Sequence, residues 1–210
     1  RCSALRLLCL QEEIADACLD MLKGAADELM IGDPRDIGVH VGPVIDAQAK
    51  QKLDHYIAQQ AAAGHVIYAG RAPETGFYVA PHIVRLRHVR DLREEIFGPV
   101  LHVVRWRAPD FDRVVADISA SGYGLTMGLH TRIGARIDAL TRLAPAGNIY
   151  VNRNMIGAVV ASQPFGGFGL SGTGPKAGGP EYLLRFMREA TITINTASAG
   201  GDAGLLSLEE

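Results

Sequence analysis

Three cysteines, Cys2, Cys9 and Cys18, stand close together near the start of the chain, and one of them is placed where a thiol could react. Cys2 lies in Arg1-Cys2-Ser3-Ala4-Leu5-Arg6, with two arginines near it and a hydrophobic run just after it. Positive charge at the mouth of a strand favours the thiolate, which is the nucleophilic form. The same residue type also serves as a small core side chain, so both readings stand at this point. Cys9 and Cys18 fall inside the apolar patterns of a strand and a helix and read as structural. The seven histidines show no metal-ligand spacing, so no metal site is expected.

Two further segments could carry chemistry. In Glu94-Glu95-Ile96-Phe97-Gly98-Pro99, two carboxylates precede a turn, with an aromatic beside them. A carboxylate there could accept hydrogen bonds from a sugar diol, and Phe97 offers a flat face to a heteroaromatic ring. A charged helix end, a buried Phe and a turn would explain the same residues. The segment from Gln163 to Gly174 is glycine-rich but lacks both the G-x-x-x-x-G-K-[ST] and the G-x-G-x-x-G patterns. Gly166, Gly167 and Gly169 read as places where the backbone passes close to something. Upstream, Gly157-Ala158-Val159 offers backbone N–H groups that could grip a carboxylate, or it is simply a loop.

These residues must be positioned by a regular frame. The 210 residues are 48% apolar and 21% charged, with a net charge of -2, which suits one globular domain and gives no basic surplus for nucleic acid. No run reaches the roughly 18 apolar residues of a membrane span. The odd cysteine count points to a reducing compartment, and the cytoplasm is expected. Strands are predicted at 4–10, 65–69, 77–79, 100–106, 126–130 and 148–152. Helices are predicted at 12–29, at 47–63 with Gly64 as the cap, at 111–118, at 133–143 and at 181–187. This alternation argues for an α/β fold with a largely parallel sheet. Residues 190–196 alternate with period two and read as a strand available to pair with another chain. The Gly/Ala/Ser-rich tail 197–210 is predicted to be disordered. With no initiator Met and no secretion signal before Cys2, the expectation is a piece of a longer protein, with part of any active site upstream of Arg1.

Arg1-Cys2-Ser3-Ala4, Glu95-x-Phe97-Gly98-Pro99, Asn148-x-x-x-Asn152 and Pro164-Phe165-Gly166-Gly167-x-x-x-Ser171-Gly172 together resemble the second half of an aldehyde dehydrogenase over roughly residues 1–196. The run Asn152-Arg153-Asn154 with Gly157-Ala158, and Ser171 to Pro180, is more particularly similar to L-glutamate γ-semialdehyde (1-pyrroline-5-carboxylate) dehydrogenases. It is similar above all to the dehydrogenase module of bifunctional proline utilisation A proteins. The resemblance implies a three-layer catalytic domain over 1–187 and an oligomerisation strand over 188–196 that joins a second copy. It also implies Cys2 as the nucleophile, NAD as cofactor held by Glu95 and Phe97, and a substrate gripped by Ser3, Gly157 and Ala158, with Phe168 beside its aliphatic part. FAD would enter only with a proline dehydrogenase module upstream.

In that family the general base, an oxyanion-hole Asn, a cofactor-binding Lys and the cofactor domain precede the nucleophile. The 210 residues alone are therefore expected to show negligible dehydrogenase activity and weak NAD binding. The rival readings are an aldehyde dehydrogenase of another specificity and a non-catalytic assembly fragment.

Overall fold

The computed structural model describes residues 1–159, 161–172 and 174–195. Strand β1 (Leu7–Gln11) runs directly into helix α1 (Glu12–Asp27), whose first turn carries Glu12 and Glu13 against the positive end of the helix dipole. Helix α2 (Ala47–Ala62) opens on Asp46, whose carboxylate accepts the Ala49 N–H at 2.7 Å, and Gly64 follows its end in the left-handed region at φ 71°. Strands β2 (Val66–Ala69), β3 (His82–Arg85) and β4 (Val100–Trp106) complete a four-stranded sheet in the order β1-β4-β3-β2. β4 lies parallel to both β1 and β3, while β2 is antiparallel to β3.

The continuous apolar runs in β1 and β4 follow from burial on both faces, because successive side chains point to opposite sides. Leu8, Leu10, Leu101 and Val103 face α1 and pack with Ala15, Leu19 and Ile83. Leu7, Cys9, Val100 and Val104 face the other way and pack with Leu53 of α2 and Val84. Helix, sheet and helix thus form the three layers expected from the sequence.

Beyond them lie helix α3 (Phe111–Ser119), strands β5 (Tyr123–Gly124) and β6 (Thr126–Leu129), helix α4 (Gly134–Leu143) and strands β7 (Asn148–Val151) and β8 (Phe168–Gly169). β6 and β7 pair in parallel, β5 and β8 antiparallel, each as a separate two-stranded sheet. A third apolar cluster, Phe111, Val115 and Leu140 with Met127, Leu129 and Ile149, joins α3 and α4 to the β6–β7 pair.

Three expectations change. Residues 77–79 are not a strand; the ladder starts one residue beyond Pro81, which has no N–H to donate. The helix expected at 181–187 is a 3-10 turn, Tyr182–Phe186, with no buried residue. Leu183, Leu184 and Phe186 are 72%, 60% and 73% exposed, so the packing that stabilises short helices is missing. Residues 190–195 are exposed and lie in no strand of the described residues; residue 196 and the tail 197–210 fall outside them.

The glycine-rich segment is a crossing of backbone on backbone. A Cβ on Gly147 would stand 1.8 Å from the Gly166 carbonyl oxygen, one on Gly124 2.2 Å from that of Pro145, and one on Gly172 2.4 Å from that of Gly167. Asn148 clamps the crossing, its Nδ2 donating to the Pro164 carbonyl at 3.0 Å and its Oδ1 accepting from the Gly166 N–H at 3.4 Å. Lys176 Nζ donates to the Gly147 carbonyl, and the Ser171 hydroxyl accepts the Gly124 N–H at 3.1 Å. Gly147→Ala is expected to cost about 3 kcal/mol or more, because neither backbone can yield, and a urea denaturation curve measures the shift.

Candidate active site

Cys2 sits on an exposed turn just ahead of β1. The Ala4 N–H donates to the Arg1 carbonyl at 3.1 Å and closes that turn around Cys2 and Ser3. Ser3 is buried behind it, at 4% exposure. The other two thiols are withdrawn. Cys9 is pushed up to about 12 by burial, which holds it as the unreactive thiol, and Cys18 is half-buried among the residues under α1.

Glu95 and Phe97 lie in the loop that leads into β4. Because β1 and β4 are parallel neighbours, the segments preceding them emerge at the same end of the sheet. The loop is also pinned to α2: Lys52 Nζ pairs with Glu94 Oε2 at 2.9 Å, and Gly98 lies so close to Leu53 that a Cβ there would meet its methyl carbon at 2.5 Å. That close approach, with Pro99, accounts for the Gly-Pro pair. Phe97 is 57% exposed, which removes the reading of it as a buried core residue.

Arg6 joins the turn to the loop. Its Nη2 donates to the Arg1 carbonyl at 3.0 Å, its Nε faces Glu95 Oε1 at 3.4 Å, and its guanidinium lies 4.4 Å from the centroid of the Phe97 ring. The Arg6 side chain is 16% exposed and that of Glu95 34%. A partly exposed ion pair at this length adds at most about 1 kcal/mol, and a cation–π contact about as much. The contacts therefore matter more for where they hold the groups than for folding.

Behind Arg6 stands His102, with 0% exposure in the centre of β4. Its backbone N–H and its Nδ1 both lie 3.0 Å from the Arg6 carbonyl oxygen. A carbonyl only accepts, so Nδ1 carries the proton, and the neutral ring's Nε2 accepts the Tyr56 hydroxyl at 2.8 Å. Burial pulls the His102 pKa below 6.5 and raises that of Tyr56 above 10.0, the charge of Glu94 adding to the second.

The remaining sequence-predicted residues lie in the second half of the chain. Gly157, at φ 76°, and Ala158 occupy the exposed loop after β7, with open space where a Gly157 Cβ would point. Phe168 is 52% exposed in β8. Asn152, at φ 55°, brackets the Thr131 backbone with Oδ1 and Nδ2, both at 2.9 Å, which explains the Asn at that position structurally. The fold thus gathers Cys2, Ser3, Glu95 and Phe97 at one end of the four-stranded sheet, and sets Gly157 and Ala158 on the loop after β7 and Phe168 in β8.

Sequence reasoning placed Arg6 near Cys2 as a charge but not against Glu95 and Phe97, and it missed His102 and Tyr56. His102 left one signal, as a polar residue inside Val100-Leu101-His102-Val103-Val104.

A thiol on a turn, a carboxylate and an aromatic at the mouth of a three-layer α/β sheet are the features of an aldehyde dehydrogenase, and the chain matches the aldehyde dehydrogenase family over residues 1–192; it belongs to that family. Within it, the chain is closely related to proline utilisation A proteins and to 1-pyrroline-5-carboxylate dehydrogenases. It is 51% identical over 195 residues to the bifunctional protein PutA of Klebsiella aerogenes, covering 89% of this chain and 15% of that protein. It is 36% identical over 196 residues to the 1-pyrroline-5-carboxylate dehydrogenase of Geobacillus sp. (strain WCH70), covering 92% of this chain and 38% of that one. The crystal structure of a Bradyrhizobium japonicum Proline Utilization A (PutA) mutant superposes with a TM-score of 0.88 at 60% identity, over 95% of this chain and 20% of that one. The chain thus spans less than two-fifths of the length of each of these relatives.

His102 gives the site a pH signature. Its folded pKa is depressed, so the folded state binds fewer protons than the unfolded state once pH falls below about 6.5. Its contribution to stability is complete above that value and is lost as pH drops through it. Melting temperature should therefore fall on acidification from about pH 7 to pH 5, and His102→Asn should flatten that slope while lowering the plateau. A slope unchanged in the variant would assign the acid sensitivity to other groups.

Proposed function

We propose that this chain supplies the thiol half of an NAD-dependent dehydrogenase that oxidises L-glutamate γ-semialdehyde, the open form of 1-pyrroline-5-carboxylate, to L-glutamate in proline catabolism. The observation that carries this reading is the exposed Cys2 turn joined through Arg6 to Glu95 and Phe97, in a chain so closely related to PutA proteins. On this reading the general base and the cofactor domain belong to a longer protein, and the 210 residues alone are inactive.

Cys2 as thiolate adds to the aldehyde carbon, making a C–S bond and a thiohemiacetal oxyanion. On this reading the Cys2 backbone N–H donates to that oxyanion, offsetting charge as it develops. NAD+ held by Glu95 and Phe97 would supply the acceptor for the hydride that leaves this carbon. The thioester left on Cys2 is attacked by water, which breaks the C–S bond and releases the carboxylate and the thiol.

The residues present suit the cofactor. Glu95 spends one oxygen on Arg6 and keeps acceptor capacity for ribose hydroxyls, and Phe97 presents an exposed ring beside it. Ser3 and the amides of Gly157 and Ala158 hold the substrate α-carboxylate, with Phe168 along its aliphatic chain. Donors that match a carboxylate would be left unpaired by a plain alkyl aldehyde, which gives discrimination.

In the full-length protein, Cys2→Ala should lower NADH formation from the semialdehyde by about a thousandfold or more. Glu95→Gln should raise the KM for NAD+ about tenfold, the worth of one hydrogen bond to a charged group. Activity retained in Cys2→Ala would sink the assignment.

A second copy of the chain is the proposed partner of residues 190–196. Ile192 and Ile194 are 84% and 73% exposed and alternate with threonines, the sequence pattern of a strand that offers an apolar face to a second chain. Light scattering on the full-length protein should give at least a dimer mass, and Ile194→Lys should lower it.

A further inference from the structure

We propose that Arg6 is a positioning residue that sets the cofactor-side loop against the nucleophile turn; this rests on the function proposed above. Arg6 is the last residue before β1, and its carbonyl oxygen takes two donors from the buried His102, which Tyr56 holds from behind. Its side chain therefore departs from a fixed point. The guanidinium then meets three partners from two segments distant in sequence: the Arg1 carbonyl that closes the Cys2 turn, and the Glu95 carboxylate and Phe97 ring of the loop before β4.

The geometry needs a planar, forked cation. One edge donates to the carbonyl and the carboxylate while the central carbon lies over the ring, 4.4 Å from its centroid. A lysine ammonium has the charge but no flat face, and its short reach of donors cannot serve both oxygens and the ring from one position. Arg6 touches neither of the reacting groups assigned above. It acts through Glu95 and Phe97, by holding their loop at a set distance from Cys2.

The test is a double-mutant cycle in the full-length protein, with Arg6→Lys, Glu95→Gln and the pair. Arg6→Lys should raise the KM for NAD+ about tenfold, with kcat changed about threefold or less, as expected for losing one charged hydrogen bond. Because Arg6 works through Glu95, the pair should exceed Glu95→Gln alone by less than about twofold. Calorimetric NAD+ binding reports the same coupling without turnover, and a melting curve checks that each variant folds.

An unchanged KM in a folded Arg6→Lys, or effects that multiply in the pair, would overturn the proposal. An active Cys2→Ala would instead remove the function on which it rests. An inactive Cys2→Ala with wild-type KM in Arg6→Lys would remove the role of Arg6 alone.

Discussion

The parallel pairing of β1 with β4, locked by His102, is the constraint on which the rest of the site depends. Parallel neighbours begin at the same end of a sheet, so the residues preceding each strand are brought together. In the observed register Leu7 lies opposite His102, and the Arg6 carbonyl just before it receives both the backbone and the ring donor of that histidine. A polar ring in an apolar core is costly unless both nitrogens are satisfied. Here Arg6 and Tyr56 satisfy them. A slip of the strands would leave Nδ1 without its acceptor, so the histidine selects one register from those that apolar packing alone would tolerate.

Apolar packing and polar contacts therefore divide the work. The two clusters on either side of the sheet supply the bulk of the burial, through side chains such as Val84, Val103 and Leu53. They say little about where a turn outside the sheet should sit. That placement comes from a small set of directional contacts made by Arg6, Lys52 and His102. The second half of the chain solves the same problem differently. There, glycines let two backbones approach within a distance that any side chain would prevent, and Asn148 and Ser171 hold the crossing by hydrogen bonds.

The accessibility of the thiols follows from these positions. Cys9 alternates into the apolar layer under α2, where burial suppresses its ionisation; Cys2 lies on an exposed turn before the ladder. Exposure thus separates chemically identical residues by location in the fold. The exposed apolar residues of the C-terminal region, Leu183, Leu184, Phe186, Ile192 and Ile194, are the opposite case: side chains of core type that no core covers among the described residues.

Local pattern determined a large part of this protein. Seven consecutive residues, Val100–Trp106, were legible as a strand, and the helices at 12–27, 47–62, 111–119 and 134–143 were legible within a few residues, because periodicity and capping act over one or two turns. Cys2, Glu95 and Phe97 were singled out by residue type and by resemblance to a known family, and the parallel β1–β4 pair brings their segments to one end of the sheet. Tertiary structure alone decided that β3 starts after Pro81, where the chain meets the free edge of β4, and that residues 182–186 wind as a 3-10 turn for want of a surface to pack on. It alone brought Arg6 against Glu95, 89 positions away, and His102 against its acceptor, 96 positions away. Contacts at such separations leave no periodic trace in a sequence, since the partners become neighbours only when the strands between them have paired.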